Sequence, residues 1–248
     1  MPENLFTAAV VATALALVLE GGVLLGASSG KRERRFLVVT AALTLPMCAV
    51  ALYGVRLPFL DHVWRALAAL LNPDVPPALL PRTTAYRVLK IFEAPLAEDL
   101  ARLWPLFLPW WRRGLAEHHR VRVAAALGLG FGVGELWTVA WLLRKNPGLV
   151  GLPWHALGGF IAERVMVCVM HGAFTAVALR RWGRGFRWGV LGGMGLHLLG
   201  NLPILLASLN VPPLGRDAWR ALLGLWVLGY FFAMGALLLH LHGEERRR

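Results

Sequence analysis

Phe92-Glu93-Ala94-Pro95-Leu96-Ala97-Glu98-Asp99-Leu100-Ala101-Arg102-Leu103-Trp104 sits within an apolar run, residues 86–111, that is long enough to cross a bilayer. Yet it carries Glu93, Glu98, Asp99 and Arg102. A charge near the bilayer centre costs roughly 2.5–3.5 kcal/mol, so Glu98, Asp99 and Arg102 facing lipid unpaired would together cost about 8–10 kcal/mol. The sequence therefore predicts that these groups face other helices, pair with one another and line a wet cavity. Pro95 removes a backbone donor and frees the carbonyl of Ile91, which predicts a kink beside the acids. Glu98 and Arg102 are four residues apart, so an ion pair along one helix face is available to them. One arginine cannot neutralise two acids.

Outward from this stretch the chain is apolar. Of 248 residues, 57% are hydrophobic and 16% charged, and the mean hydropathy is +0.58. This is the composition of a polytopic membrane protein. Seven apolar segments are predicted at residues 5–27, 36–55, 86–111, 121–143, 158–179, 188–209 and 218–241. The expected fold is all-α: a membrane helix bundle of about seven transmembrane helices, forming a single integral membrane domain over residues 1–248. The net charge of +12 does not indicate nucleic acid, because the basic residues cluster between apolar runs. Basic connections follow the first, third, fifth and seventh segments, at residues 31–35, at Arg112, Arg113, Arg120 and Arg122, at Arg180, Arg181, Arg184 and Arg187, and at residues 246–248. The lysine and arginine bias predicts the N-terminus outside and the C-terminus inside. Anionic membrane lipids are expected partners of these basic residues. Between segments two and three lies a long loop, residues 56–85. It contains an amphipathic piece, Asp61 to Leu71, that Pro73, Pro76, Pro77 and Pro81 prevent from continuing as helix. Cys48 and Cys168 stand alone in apolar runs and support neither a disulfide framework nor a cysteine metal site.

Three further segments carry mid-depth polar groups. The fourth reads Gly128-Leu129-Gly130-Phe131-Gly132-Val133-Gly134-Glu135, in which Gly128/Gly132 and Gly130/Gly134 are overlapping small-residue pairs that admit a neighbouring backbone. Glu135 follows near mid-membrane. The fifth carries Glu163 and Arg164 in its outer third, where pairing explains them, and His171 near the centre, spaced so that either of the first two can share a face with the histidine. The sixth carries His197 and Asn201, four residues apart. Polar groups on four consecutive helices are the pattern of an intramembrane site. Acids, histidines and an asparagine suit peptide hydrolysis, with a carboxylate as base and imidazole and amide as oxyanion donors. No serine lies near a base, and there is no His-Glu-x-x-His motif.

Glu98-Asp99-x-x-Arg102, Gly-x-Gly-Glu135, Glu163-Arg164 followed by His171, and His197-x-x-x-Asn201 resemble the YhfC-type intramembrane proteases. These belong to a broader glutamic-type group with the CAAX-prenyl-protease/bacteriocin-processing relatives and PrsW. The resemblance covers about residues 86–209, the expected catalytic core. It implies Glu98 as general base with His171 assisting, His197 and Asn201 as the oxyanion site, Arg102 orienting the acids, and Glu135, Glu163 and Arg164 in support. Asp99 stands where the family repeats glutamate. Val167 stands where the prenyl-protease relatives carry phenylalanine, which argues against prenylated substrates. The implied substrate is a membrane-associated protein or peptide, with no cofactor, and the expected location is the bacterial cytoplasmic (inner) membrane. Two alternatives remain open. One is a zinc-dependent protease with Glu98, Glu135, His171 and His197 as ligands. The other is a transporter or membrane scaffold using the same groups for proton relay or solute binding.

Overall fold

A computed structural model describes residues 1–183 and 185–247, so Arg184 and Arg248 of the basic connections lie outside the described residues. Every regular element is helical, and no strand occurs among the described residues. Six helices are long and apolar enough to cross a membrane. We label them in chain order together with three short helices between the second and third of them: α1 (Glu3–Gly26), α2 (Lys31–Leu71), α3 (Thr84–Lys90), α4 (Glu93–Arg102), α5 (Pro109–Glu117), α6 (Arg120–Leu143), α7 (Gly158–Arg180), α8 (Phe186–Leu209) and α9 (Arg216–Arg246).

Two expected segments differ. The run at residues 86–111 is not one helix but α3, α4, a 3-10 turn Trp104–Phe107 and α5. Pro95, Pro105 and Pro109 each lack the donor that a continuous ladder needs, and Pro105 and Pro109 each sit at a helix start, where that donor would be orphaned anyway. The second segment does not end at residue 55. It runs on to Leu71, so the connecting loop begins only at Asn72. Pro58 is accommodated because Val50–Leu60 is wound as a wider π-helix. The expected amphipathic piece Asp61–Leu71 is the end of this helix, packed through Trp64 and Ala68 against Leu80 and Tyr86.

The chain nevertheless passes from end to end of the bundle seven times. Arg87 in α3 donates to the Ser208 carbonyl at the far end of α8 (2.6 Å). Glu117 in α5 pairs with Arg32 at the start of α2 (2.8 Å). The broken run therefore joins the two ends, beside six continuous helices. The basic connections gather at one end. There Arg122 meets the Ala27 carbonyl (2.6 Å) and Glu33 (2.8 Å), and Arg180 meets Glu244 (2.8 Å). The Glu245 carboxylate caps α6 by accepting from the backbone of Arg120 (2.7 Å) and Val121 (3.1 Å). Asn4, at the opposite end, donates to the carbonyls of Leu149 and Leu152, both at 2.7 Å.

Helix α6 is the axis. In its most apolar window 78% of residues are buried, against 11% in α8 and α9, which present their apolar sides outward. The two glycine pairs of α6 serve different neighbours. A Cβ at Gly128 or Gly132 would run into α7 at His171, Gly172 and Cys168, and one at Gly130 or Gly134 would run into the α2 carbonyls of Ala41 and Leu45. Thr44 seals the second contact by donating to the Leu127 carbonyl (3.1 Å). Trp111 of the broken run is fully buried against the same helices, its indole donating to Thr40 (2.9 Å).

Candidate functional site

Close packing of α6 on α7 puts Glu135, one residue past Gly134, opposite His171, one residue before Gly172. The His171 Nε2 lies 2.7 Å from Glu135 Oε2. The second Glu135 oxygen accepts from Arg164 (2.7 Å), which also binds Glu163 at 2.7 Å. Glu163 stays at the rim with its side chain 42% exposed, while Arg164 is buried.

On α4, Glu98 and Asp99 are consecutive, so they point about 100° apart around the helix and find different partners. The Glu98–Arg102 pair that the spacing makes available does not form. Arg102 instead pairs with Asp99, three residues back, and with His171 Nδ1. Glu98 pairs with Arg56 of α2. The second arginine that two acids require thus comes from a helix read as ending one residue earlier. Both Glu98 and Asp99 are buried, as is Arg102.

Hydrogen-bond logic assigns the imidazole protons. A guanidinium only donates, so His171 Nδ1 accepts from Arg102 and its Nε2–H donates to Glu135. Both ring nitrogens of His171 are engaged. A carboxylate only accepts, so His197 carries a proton on Nδ1 and donates it to Asp99 Oδ1 (3.1 Å). Its Nε2 faces Glu98 Oε2 across 3.9 Å. The imidazoles lie edge to face with centroids 5.5 Å apart, and Phe174 stacks on His197 at 5.2 Å. Arg102 lies over the Phe131 ring, 5.2 Å from its centroid.

These groups open into a cavity of about 240 Å³ lined by Glu98, Glu135, His171, His197 and Asn201, with Trp226 and Tyr230 of α9 as its apolar wall. The indole of Trp226 donates to the Gly200 carbonyl (3.1 Å) and the Tyr230 hydroxyl to the Leu196 carbonyl (2.6 Å), which fixes α8 and hence His197 and Asn201. Among the described residues Asn201 makes no side-chain hydrogen bond. The structure therefore gathers Glu98, Asp99, Arg102, Glu135, His171, His197, Glu163 and Arg164 into one network, with Asn201 on the same cavity wall. One carboxylate oxygen each from Glu98 and Glu135 and one His171 nitrogen lie within 4.8 Å of one another. That donor set is of a type that suits zinc.

The sequence reading missed the outer half of the network. Arg56 also binds Glu93 (3.2 Å), Glu93 binds Lys90 (2.9 Å), and Lys90 binds Asp61 (2.7 Å), which accepts from the Tyr86 hydroxyl. Glu93 is 1% exposed. A charge buried that deep inside an apolar run demands partners: Lys90 lies three residues back on the same stretch, but Arg56 lies 37 residues away along the chain. No family model, curated protein or solved structure matches the chain.

Proposed function

We propose that the protein is an intramembrane endopeptidase that hydrolyses a peptide bond of a membrane-associated protein, within the glutamic-type group its motifs resemble. The observation that carries this reading is the 3.9 Å gap between Glu98 Oε2 and His197 Nε2, inside a cavity; the mechanism uses the neutral imidazole, with its proton on Nδ1. A water at about 2.8 Å from both acceptors donates one proton to each and keeps a lone pair for the substrate carbonyl. Attack forms the carbon–oxygen bond as the proton passes to Glu98. Asp99 steadies the His197 ring. The amide of Asn201 is free to donate to the developing oxyanion. Collapse breaks the carbon–nitrogen bond, and the Glu98 carboxylic acid returns its proton to the leaving amine.

The division of labour differs from the one the resemblance implies. His171 has no free nitrogen, so His197 works with Glu98, and His171 holds Glu135 and Arg102 in place. Placement in a membrane with the N-terminus outside follows from the basic residues at the α9 end of the bundle. The test is cleavage of a quenched transmembrane-peptide library by the purified protein in vesicles. Glu98→Gln and His197→Ala each lower the rate by about 10²–10⁴-fold. Full activity in Glu98→Gln overturns the reading.

The convergence of Glu98, Glu135 and His171 within 4.8 Å, with the expected ligand His197 outside that set, favours a second reading, in which the Nε2 of His171 gives up its hydrogen bond to Glu135 and the three residues would hold a divalent cation such as zinc. Such an ion lowers the pKa of bound water. Stoichiometric metal in the purified protein, lost in Glu135→Gln together with activity, selects it. Chelator-resistant cleavage by metal-free protein rejects it.

A further inference from the structure

The largest cavity described lies on the other side of α6 and α7 from the site. It is a groove of about 370 Å³ between α1, α6, α7 and α9, walled almost wholly by apolar side chains. On α6 it runs from Arg122 to Leu129, a rise of about 10 Å, which is most of the hydrocarbon depth of one leaflet. It opens sideways, where a bilayer would lie, because Val23 and Leu239 on its rim are 73% and 74% exposed. Its end at the basic pole of the bundle is lined by Arg122 and His242. Arg122 is 8% exposed, and although one nitrogen meets Glu33 and the Ala27 carbonyl, its Nε has no partner. An apolar slot spanning most of one leaflet, with the ion-paired Arg122 and His242 at its headgroup end, has a complementary ligand. We infer that the groove holds one anionic phospholipid, an acyl chain along α6 and the phosphate against Arg122 and His242.

Glu20, which the sequence reading passed over, lies deep on the same wall with one carboxyl oxygen buried and unpartnered. An acyl chain offers it nothing, so replacing it with leucine extends the apolar wall.

The test is native mass spectrometry of the full chain in detergent, titrated with dioleoyl phosphatidylglycerol or dioleoyl phosphatidylcholine. The wild type retains one phosphatidylglycerol, preferred over phosphatidylcholine by about fivefold for the Arg122 charge. Gly235→Phe blocks the groove and removes the bound lipid. A Cβ at Gly235 meets nothing within 4 Å, so this variant keeps the helix packing. His242→Arg adds a full cation at the headgroup end and raises the preference by about fivefold, and Arg122→Gln lowers it. Because Arg122 also braces Glu33, the His242 variant is the one that decides if Arg122→Gln misfolds. Glu20→Leu binds as well as wild type or better. Equal retention of the two lipids, lipid bound undiminished in Gly235→Phe, or loss of binding in Glu20→Leu overturns the inference. So does displacement of the lipid by inorganic phosphate alone, which would mean a free anion site.

Discussion

At the scale of single residues, Arg102 is the brace of the site. Its side chain is 1% exposed and joins Asp99 to His171. Removing one partner of a buried pair leaves the other charged and dry, at about 3–5 kcal/mol. Arg102→Met is therefore expected to lower thermal stability in detergent by roughly 6–20 °C, at 2–4 °C per kcal/mol for a chain of this size. Arg102→Lys recovers only part of this, since an ammonium cannot reproduce the planar fork. An unchanged melting temperature in Arg102→Met would show that the brace is absent. Glu98 was legible because an acid in an apolar run has no bland explanation. Arg56 was not, because an arginine just past the expected end of a segment reads as an ordinary loop charge. Only the continuation of α2 to Leu71 turns it into the counter-ion of Glu98 and Glu93.

At the scale of elements, the glycines of α6 decide where the polar groups meet. Gly130 and Gly134 admit α2, while Gly128 and Gly132 admit α7. The overlapping pairs were visible in the sequence, but that they serve two different helices was not, because spacing gives a face and no partner. Gly130→Leu would drive a side chain into the Ala41 carbonyl, and such overpacking costs about 1–3 kcal/mol. A loss of about 2–12 °C in melting temperature is expected, with Gly195→Leu as the control, since nothing lies within 4 Å of a Cβ there. Equal effects at both positions would contradict the packing assigned to α6. The broken run of α3, α4 and α5 was misread as one helix by hydrophobicity alone. Its three prolines (Pro95, Pro105 and Pro109) carry the opposing signal, and Pro105 and Pro109 mark helix starts that hydropathy does not see.

At the scale of the whole molecule, the all-helical bundle follows from apolar length, and the segment ends agree with the helices within a few residues for α1 and α6 to α9. The test lies in the parity of the passes. Seven passes put the two chain ends on opposite sides of the membrane; were the broken run not to cross, they would lie on the same side. A membrane-impermeant thiol reagent should label Glu3→Cys from outside intact cells and label Arg247→Cys only after permeabilisation. The background for both is Cys48→Ala with Cys168→Ala, the two native thiols being buried. Labelling of both positions in intact cells would contradict the arrangement. The site itself is a property of this scale: its members come from α2, α4, α6, α7 and α8, and no stretch of sequence contains their meeting point.

The claim on which the hydrolase reading stands is measured most directly by an experimental side-chain-resolution structure of the protein in lipid. The account predicts Glu98 Oε2 and His197 Nε2 facing one another at close to 3.9 Å, with an ordered water touching both. Separation beyond about 6 Å, too far for one water to reach both at hydrogen-bond distance, with the carboxylate turned out of the cavity, would contradict it.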